Sequence, residues 1–142
     1  MNTLCQKIDY LPIELKRIIY EFLPRHFLIF TNCTNYGLYH HYLKPIIERK
    51  NQYDNYVRDM IRKDFELAMN FILNENKTQW LKGKGYTYKN NKYTNYLFFM
   101  YEYAIQNNSG KCKILIMKVL KDTGLMKNQH KKNIIRNIGW TN

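Results

Sequence analysis

The feature that most restricts this chain is the spacing of apolar residues between positions 56 and 75. Val57, Ile61, Phe65, Ala68 and Ile72 step by four, four, three and four. A strand repeats every two residues and a helix every ~3.6, so only a helix gathers these side chains on one face. Met60, Leu67 and Phe71 widen the face, as expected of a central helix covered on more than one side. Arg58, Asp59, Arg62 and Lys63 lie mostly opposite, and Arg62 with Glu66 has the i,i+4 spacing of a surface pair. Asp54 stands where a cap for this helix is needed.

The same period returns further on. Over residues 93–107, Tyr96, Leu97, Met100, Tyr101 and Ala104 line one side, with Phe98, Phe99 and Ile105 adding apolar surface elsewhere. Ser109 is placed to cap a further helix reaching Asp122, with Ile114, Leu115, Ile116, Val119 and Leu120 on it and Gly124 in its closing turn. A last helix is expected from Met126, carrying Ile134, Ile135 and Ile138, with Gly139 after it. Lys127, His130, Lys131, Lys132 and Arg136 make its other side basic. The fold class read from these patterns is all-α, with a bundle of about four helices over residues 54–142.

Residues 11–24 read LPIELKRIIYEFLP. Pro12 suits the first position of a helix, where no N–H is needed, and Pro24 stops or turns it. Leu15, Ile18, Ile19 and Phe22 recur at helical spacing and are expected to face a core. Ile13 and Tyr20 project together on a second strip among the charges Glu14, Lys16, Arg17 and Glu21. That strip is covered either by another part of the chain or by a partner.

This stretch resembles the start of an F-box. The resemblance is carried by Leu11-Pro12, Glu14-Leu15, Ile18-Ile19 and Phe22-Leu23-Pro24, followed by Phe27-Leu28, Cys33 and Tyr36. It covers about a third of the chain, on ordinary helix-hairpin lengths. It implies a three-helix N-terminal unit, residues 1–50, packed on the helical C-terminal unit. It also implies docking to the Skp-type linker of a cullin–RING ubiquitin ligase, while the C-terminal unit presents a target protein. Leu11, Pro12, Leu15, Ile18, Ile19, Phe22, Leu23 and Pro24 would build the docking unit, and Ile13 and Tyr20 are its outward candidates. The tail, with YTYKNNKYTNYLFF, NNSGKC and a closing Gly-Trp, is similar to C-terminal regions of small F-box-like proteins in large AT-rich DNA viruses of eukaryotes. That likeness implies a host cell's cytoplasm or nucleus.

Within residues 26–45, Phe27, Leu28 and Phe30 are expected in a core. Tyr36, Tyr39, His40 and Leu43 fit a helical face, and Pro45 marks its end or a kink. His26, His40 and His41 near Cys33 match no zinc spacing, and no oriented base is identified beside that thiol. P-loop, nucleophile-elbow and paired acid/base motifs are absent from the sequence, so neither enzyme chemistry nor a cofactor is expected. The three Cys residues are odd in number and widely spaced, which suits a reducing compartment. The first ten residues lack a signal peptide's apolar core, and no stretch approaches the ~20 apolar residues of a membrane span.

Charge separates the two parts. Residues 1–56 carry 7 basic and 5 acidic side chains, against 16 and 6 in residues 57–142. Residues 78–92, TQWLKGKGYTYKNNK, interrupt the helical pattern with turn-forming Gly and Asn, and a short hairpin or an extended loop fits them. Trp80, Lys82, Lys84, Tyr86, Tyr88, Lys89, Lys92 and Tyr93 interleave aromatics with cations. Lysines neutralise phosphates and aromatic faces stack unpaired bases. The alternative function is therefore nucleic-acid binding. The ordinary reading of the same cluster is that the rings are buried and the lysines solvate the loop.

Overall fold

A computed structural model describes residues 10–83, 85–128 and 134–136. The chain divides into two compact units, Met1–Tyr53 and Asp54–Asn142. The fold is all-α with one small sheet.

The N-terminal unit holds α1 (Ile13–Phe22), α2 (Arg25–Leu28), α3 (Cys33–Tyr39), a 3-10 turn (His40–Tyr42) and α4 (Leu43–Arg49). Four helical segments thus stand where three helices were expected. The extra break falls at His40–Tyr42, before Pro45. Pro45 occupies the first turn of α4, where a missing N–H costs nothing, and neither ends nor kinks a helix. Asn32 caps α3 by accepting from the Asn35 amide at 2.8 Å, and Thr31 Oγ1 donates to Leu28 O at 2.7 Å. Among the described residues of this unit the buried apolar side chains are Leu28, Ile29 and Tyr36. Phe27 and Phe30, expected inside, are exposed; on these short helical turns it is Leu28 and Ile29 that point inward.

The C-terminal unit holds α5 (Tyr53–Arg62, beginning at the boundary), α6 (Glu66–Lys82), β1 (Tyr86–Tyr88), β2 (Asn91–Tyr93), α7 (Tyr96–Gln106), α8 (Gly110–Asp122), a 3-10 turn (Leu125–Asn128) and β3 (Ile134–Arg136). The single helix expected across residues 56–75 is two, because Asp64 adopts a left-handed conformation (φ 47°). Its amide donates to Ile61 O at 2.9 Å and the Phe65 amide to Met60 O at 3.0 Å. That pair of bonds is a Schellman close. Apolar spacing misses the break because positions 57, 61, 68 and 72 stay buried on both sides of it. Arg62 consequently pairs with Asp59 at 3.3 Å, and not with Glu66. α4 and α7 close the same way on Asn51 (φ 52°) and Asn108 (φ 55°). Asn and Asp tolerate the left-handed region better than other side chains, so Asn or Asp closes helices here where Gly is the commoner choice.

Helix α6 runs to Lys82 and so takes in Trp80, which the turn-rich reading had put in a loop. Asn95 then binds two helix ends together: its Oδ1 accepts from the Leu97 amide at 2.8 Å and its Nδ2 donates to Trp80 O at 2.7 Å. This cap starts α7 at Tyr96 and leaves Tyr93 in β2. The sheet is antiparallel in the order β1-β2-β3, with Tyr86 opposite Tyr93 and Lys92 opposite Ile135. Ile134 and Ile135 therefore lie in a strand and not in a last helix; the 3-10 turn ends at Asn128. Edge pairing to β2 supplies these residues with a period-2 partner that a one-dimensional helical count does not see. Ile138, Gly139, His130, Lys131 and Lys132 lie outside the described residues. Among the described residues the core consists of Val57, Met60 and Ile61 from α5, Ala68, Met69, Ile72 and Leu73 from α6, Tyr93 from β2, Tyr96, Leu97, Phe99, Met100 and Ala104 from α7, and Cys112, Ile116 and Leu120 from α8.

Candidate functional site

Two surfaces hold the residues singled out by sequence, one in each unit. The first is α1. Pro12 precedes its first turn and its carbonyl accepts from the Lys16 amide at 3.0 Å. Leu23, in extended conformation, closes it with its amide on Ile19 O at 3.1 Å. The helix buries none of its residues. Ile13 is 72 % exposed, Leu15 47 %, Ile18 50 % and Phe22 84 %. Leu11, Ile19, Tyr20 and Leu23 are half-buried, and Pro12 and Pro24 are exposed. The inward face is thus Lys16, Ile19, Tyr20 and Leu23. This corrects the assignment of Leu15, Ile18 and Phe22 to a core and of Tyr20 to an outward strip. Both strips satisfy the helical period, and which one turns inward depends on the neighbouring elements. Ile13 is outward, as expected, but at ~100° per residue it lies on Tyr20's side of the helix, across from Leu15, Ile18 and Phe22. Arg17 and Glu21 form an exposed ion pair at 3.1 Å, of the kind that contributes little. Phe27, Phe30 and Leu38 add exposed apolar surface in the same unit.

The second surface is the hairpin of the C-terminal unit. A two-residue turn, Lys89-Asn90, joins β1 to β2, with Lys89 in the left-handed region (φ 51°). The rings beneath it form one cluster. Tyr86 meets Tyr96 at 4.6 Å and Phe99 at 4.7 Å; Tyr88 meets Phe99 at 4.9 Å; Trp80 meets Tyr96 at 4.8 Å. Polar groups fix the hydroxyls. Arg58 Nη1 donates to Tyr86 Oη at 3.3 Å, Tyr86 donates to Asp54 Oδ2 at 3.0 Å, and Tyr96 donates to Asp54 Oδ1 at 3.2 Å. The Arg58 guanidinium also sits 5.0 Å from the centre of the Tyr88 ring, a cation–π distance. Asp54 therefore anchors the hairpin to the start of α5 and does not serve as the cap expected of it. Burial, then the Asp54 carboxylate, push the Tyr86 hydroxyl up to about 12 and raise Tyr96 further.

Trp80, Tyr86 and Tyr88 are half-buried and each contacts another ring, so these side chains first of all pack the hairpin. Lys82, Lys89 and Lys92 are exposed around them, and Lys84 lies outside the described residues. A polyanion meeting this rim would meet charge more readily than stacking faces. The sequence reading gave Asp54 and Arg58 no part in this cluster, because their partners lie 28 to 42 residues away.

Cys33 is exposed and Cys112 buried, and neither is in a disulfide. Among the described residues no group of three or more His, Cys, Asp or Glu side chains is placed to hold a metal ion. Among them, too, no helix is long and apolar enough to cross a membrane. No family model, no curated protein sequence and no solved structure matches the chain.

Proposed function

We propose that this protein is a non-catalytic adaptor whose N-terminal unit docks a protein partner through α1. The observation that carries the reading is an amphipathic helix with no buried residue and with Leu15, Ile18 and Phe22 exposed along one strip. Large apolar side chains held in water at helical spacing match the helix-in-groove mode of recognition. A unit of about 50 residues also gains stability when a partner covers it. The F-box resemblance supplies the partner class: a Skp-type linker of a cullin–RING ubiquitin ligase, inside a eukaryotic host cell. The C-terminal unit would hold the target, and the rate effect on ubiquitin transfer would be proximity.

The test is a titration of purified Skp-type linker with the full chain. Leu15→Asp and Phe22→Asp place a charge where water reaches it in the isolated protein and where the complex would bury it. That burial costs several kcal/mol, so affinity falls well beyond tenfold while the helical spectrum stays intact. Tyr20→Asp instead disturbs folding, since Tyr20 lies on the inward face. Unaltered linker affinity in the Leu15 and Phe22 variants refutes the docking surface. An unaltered protein that does not bind the linker refutes the adaptor.

A further inference from the structure

We infer that the outer face of α8 binds an acidic protein segment that carries an aliphatic side chain among its carboxylates. Helix α8 packs on α6 and α7 and turns Cys112, Ile116 and Leu120 inward. On the opposite face Lys111, Ile114, Lys118 and Lys121 are all exposed, at i, i+3, i+7 and i+10. At ~100° and ~1.5 Å per residue they form one stripe about 15 Å long. Ile114, 59 % exposed, stands between cations. Lys113 is half-buried beside the stripe, and the only acid on the helix is Asp122 at its last residue. Among the described residues no ion pair is formed by these lysines.

Part of the charge serves the helix itself: the Asp64 carboxylate accepts from the Lys111 and Cys112 amides at its N-terminus, and Lys121 stands in the last turn, where the macrodipole favours a cation. Ile114, exposed among the lysines, has no such part. Cations and aliphatic group together match carboxylates and an aliphatic side chain laid along the stripe. Nucleic acid fits less well, because the apolar group is aliphatic and offers no stacking face, and the helix has no arginine for bidentate phosphate contact. A lipid surface fits less well too, because the helix's apolar side is committed to the core and cannot insert. The inference rests on the adaptor reading for its biological role, where it gives the chemistry of the presented target.

The experiment measures anisotropy of a labelled repeating Glu-Glu-Leu peptide with the full chain at low salt, without the linker. Joint replacement Lys118→Glu and Lys121→Glu should weaken binding at least about tenfold, a change of ~1.4 kcal/mol. Ile114→Ser should weaken it severalfold for this peptide and leave an all-Glu peptide unaffected. Lys82→Glu with Lys89→Glu on the hairpin should change it less than about twofold. Should the Glu pair fail to fold, Lys118→Gln with Lys121→Gln makes the same comparison. No peptide binding, an equal loss from the hairpin pair, or tighter binding of oligothymidylate or phosphatidylserine vesicles than of the peptide overturns the proposal. Peptide binding without linker binding sinks the adaptor reading alone; linker binding without peptide binding sinks this one alone.

Discussion

Asp64 has two tasks in the C-terminal unit, and its replacements separate them. Its backbone closes α5 in the left-handed region (φ 47°). Its carboxylate accepts from the Cys112 amide at 2.8 Å and the Lys111 amide at 3.2 Å, so it caps α8 from 47 residues away. Ser109, the expected cap, instead donates its hydroxyl to Ile61 O at 2.6 Å. Asp64→Gly keeps the turn and loses the cap, at about 0.5–2 kcal/mol. It recovers part of that because Gly is unstrained at positive φ. Asp64→Ala loses the cap and adds a left-handed Cβ, about 1–2 kcal/mol more. Asp64→Asn keeps both the turn and one acceptor oxygen, but not the charge. The expected order of stability is Asp, then Asn and Gly close together, then Ala lowest. For a unit of this size each kcal/mol moves the midpoint by ~4–8 °C. The N-terminal unit contains no tryptophan, and Trp80 is on α6, so tryptophan fluorescence follows the melting of the C-terminal unit without interference from the other.

The pH dependence adds a second, independent check. Burial alone would raise the Asp64 carboxyl, but the amides of Cys112 and Lys111 outweigh it and hold the group below its ordinary value. A carboxyl depressed in the folded state stabilises fully above its unfolded value of ~3.9, and that stabilisation is lost as pH falls through the folded value. The acid limb of the stability curve should therefore flatten in Asp64→Asn. Equal stability of the Gly and Ala variants would refute the left-handed role. An unchanged acid limb in Asp64→Asn would refute the charged cap.

Three further outcomes are expected. A Cβ on Gly85 would lie 2.7 Å from Tyr93 O, so Gly85→Ala should push the hairpin strands apart and destabilise the unit by about 1–3 kcal/mol, read by the same fluorescence melt. Tyr86 titrates at about 12 when folded, above the ordinary ~10, so its contribution is complete below pH ~10 and is lost as pH rises toward 12; Tyr86→Phe should blunt the alkaline melting limb, and an unaltered limb would contradict the Asp54 contact. Cys33 is exposed, whereas Cys112 is buried with its thiol pushed up to about 12, so alkylation near neutral pH followed by mass spectrometry should find Cys33 modified in the native protein and Cys112 only after unfolding.

The helices of the C-terminal unit were legible because periodicity reports burial, and burial there comes from neighbours of the same kind. Val57, Ile61, Ala68 and Ile72 are buried as their spacing requires. What spacing does not carry is punctuation by long-range partners. Nothing near Asp64 in sequence announces that its carboxylate will meet the Cys112 amide, and nothing near Asp54 announces two tyrosine hydroxyls. The signal available was weaker: Asp or Asn three or four positions after the last apolar residue of a run (Ile47, Ile61, Ile105) is a left-handed closing residue without glycine. Applied to Asn51, Asp64 and Asn108 alike, it locates three helix ends.

Helix α1 shows the converse limit. Its sequence specifies an amphipathic helix with two apolar strips, and both exist. A strip is inward only by virtue of something that covers it, and Leu15, Ile18 and Phe22 have less cover within the chain than Ile19 and Tyr20. In a helix whose burial is completed inside its own fold, the larger strip wins, because each apolar Å² removed from water contributes ~25 cal/mol. Here each strip is split: Leu15, Ile18 and Phe22 stay in water while Ile19 is half-buried, and Ile13 is exposed while Tyr20 is half-buried. A helix buried by its larger strip alone would cover Leu15, Ile18 and Phe22 together with Ile19. The half-buried face therefore runs between the two strips, through Lys16, Ile19, Tyr20 and Leu23, and leaves Leu15, Ile18 and Phe22 open to water, so Leu15→Asp and Phe22→Asp should leave the helical circular-dichroism spectrum unchanged.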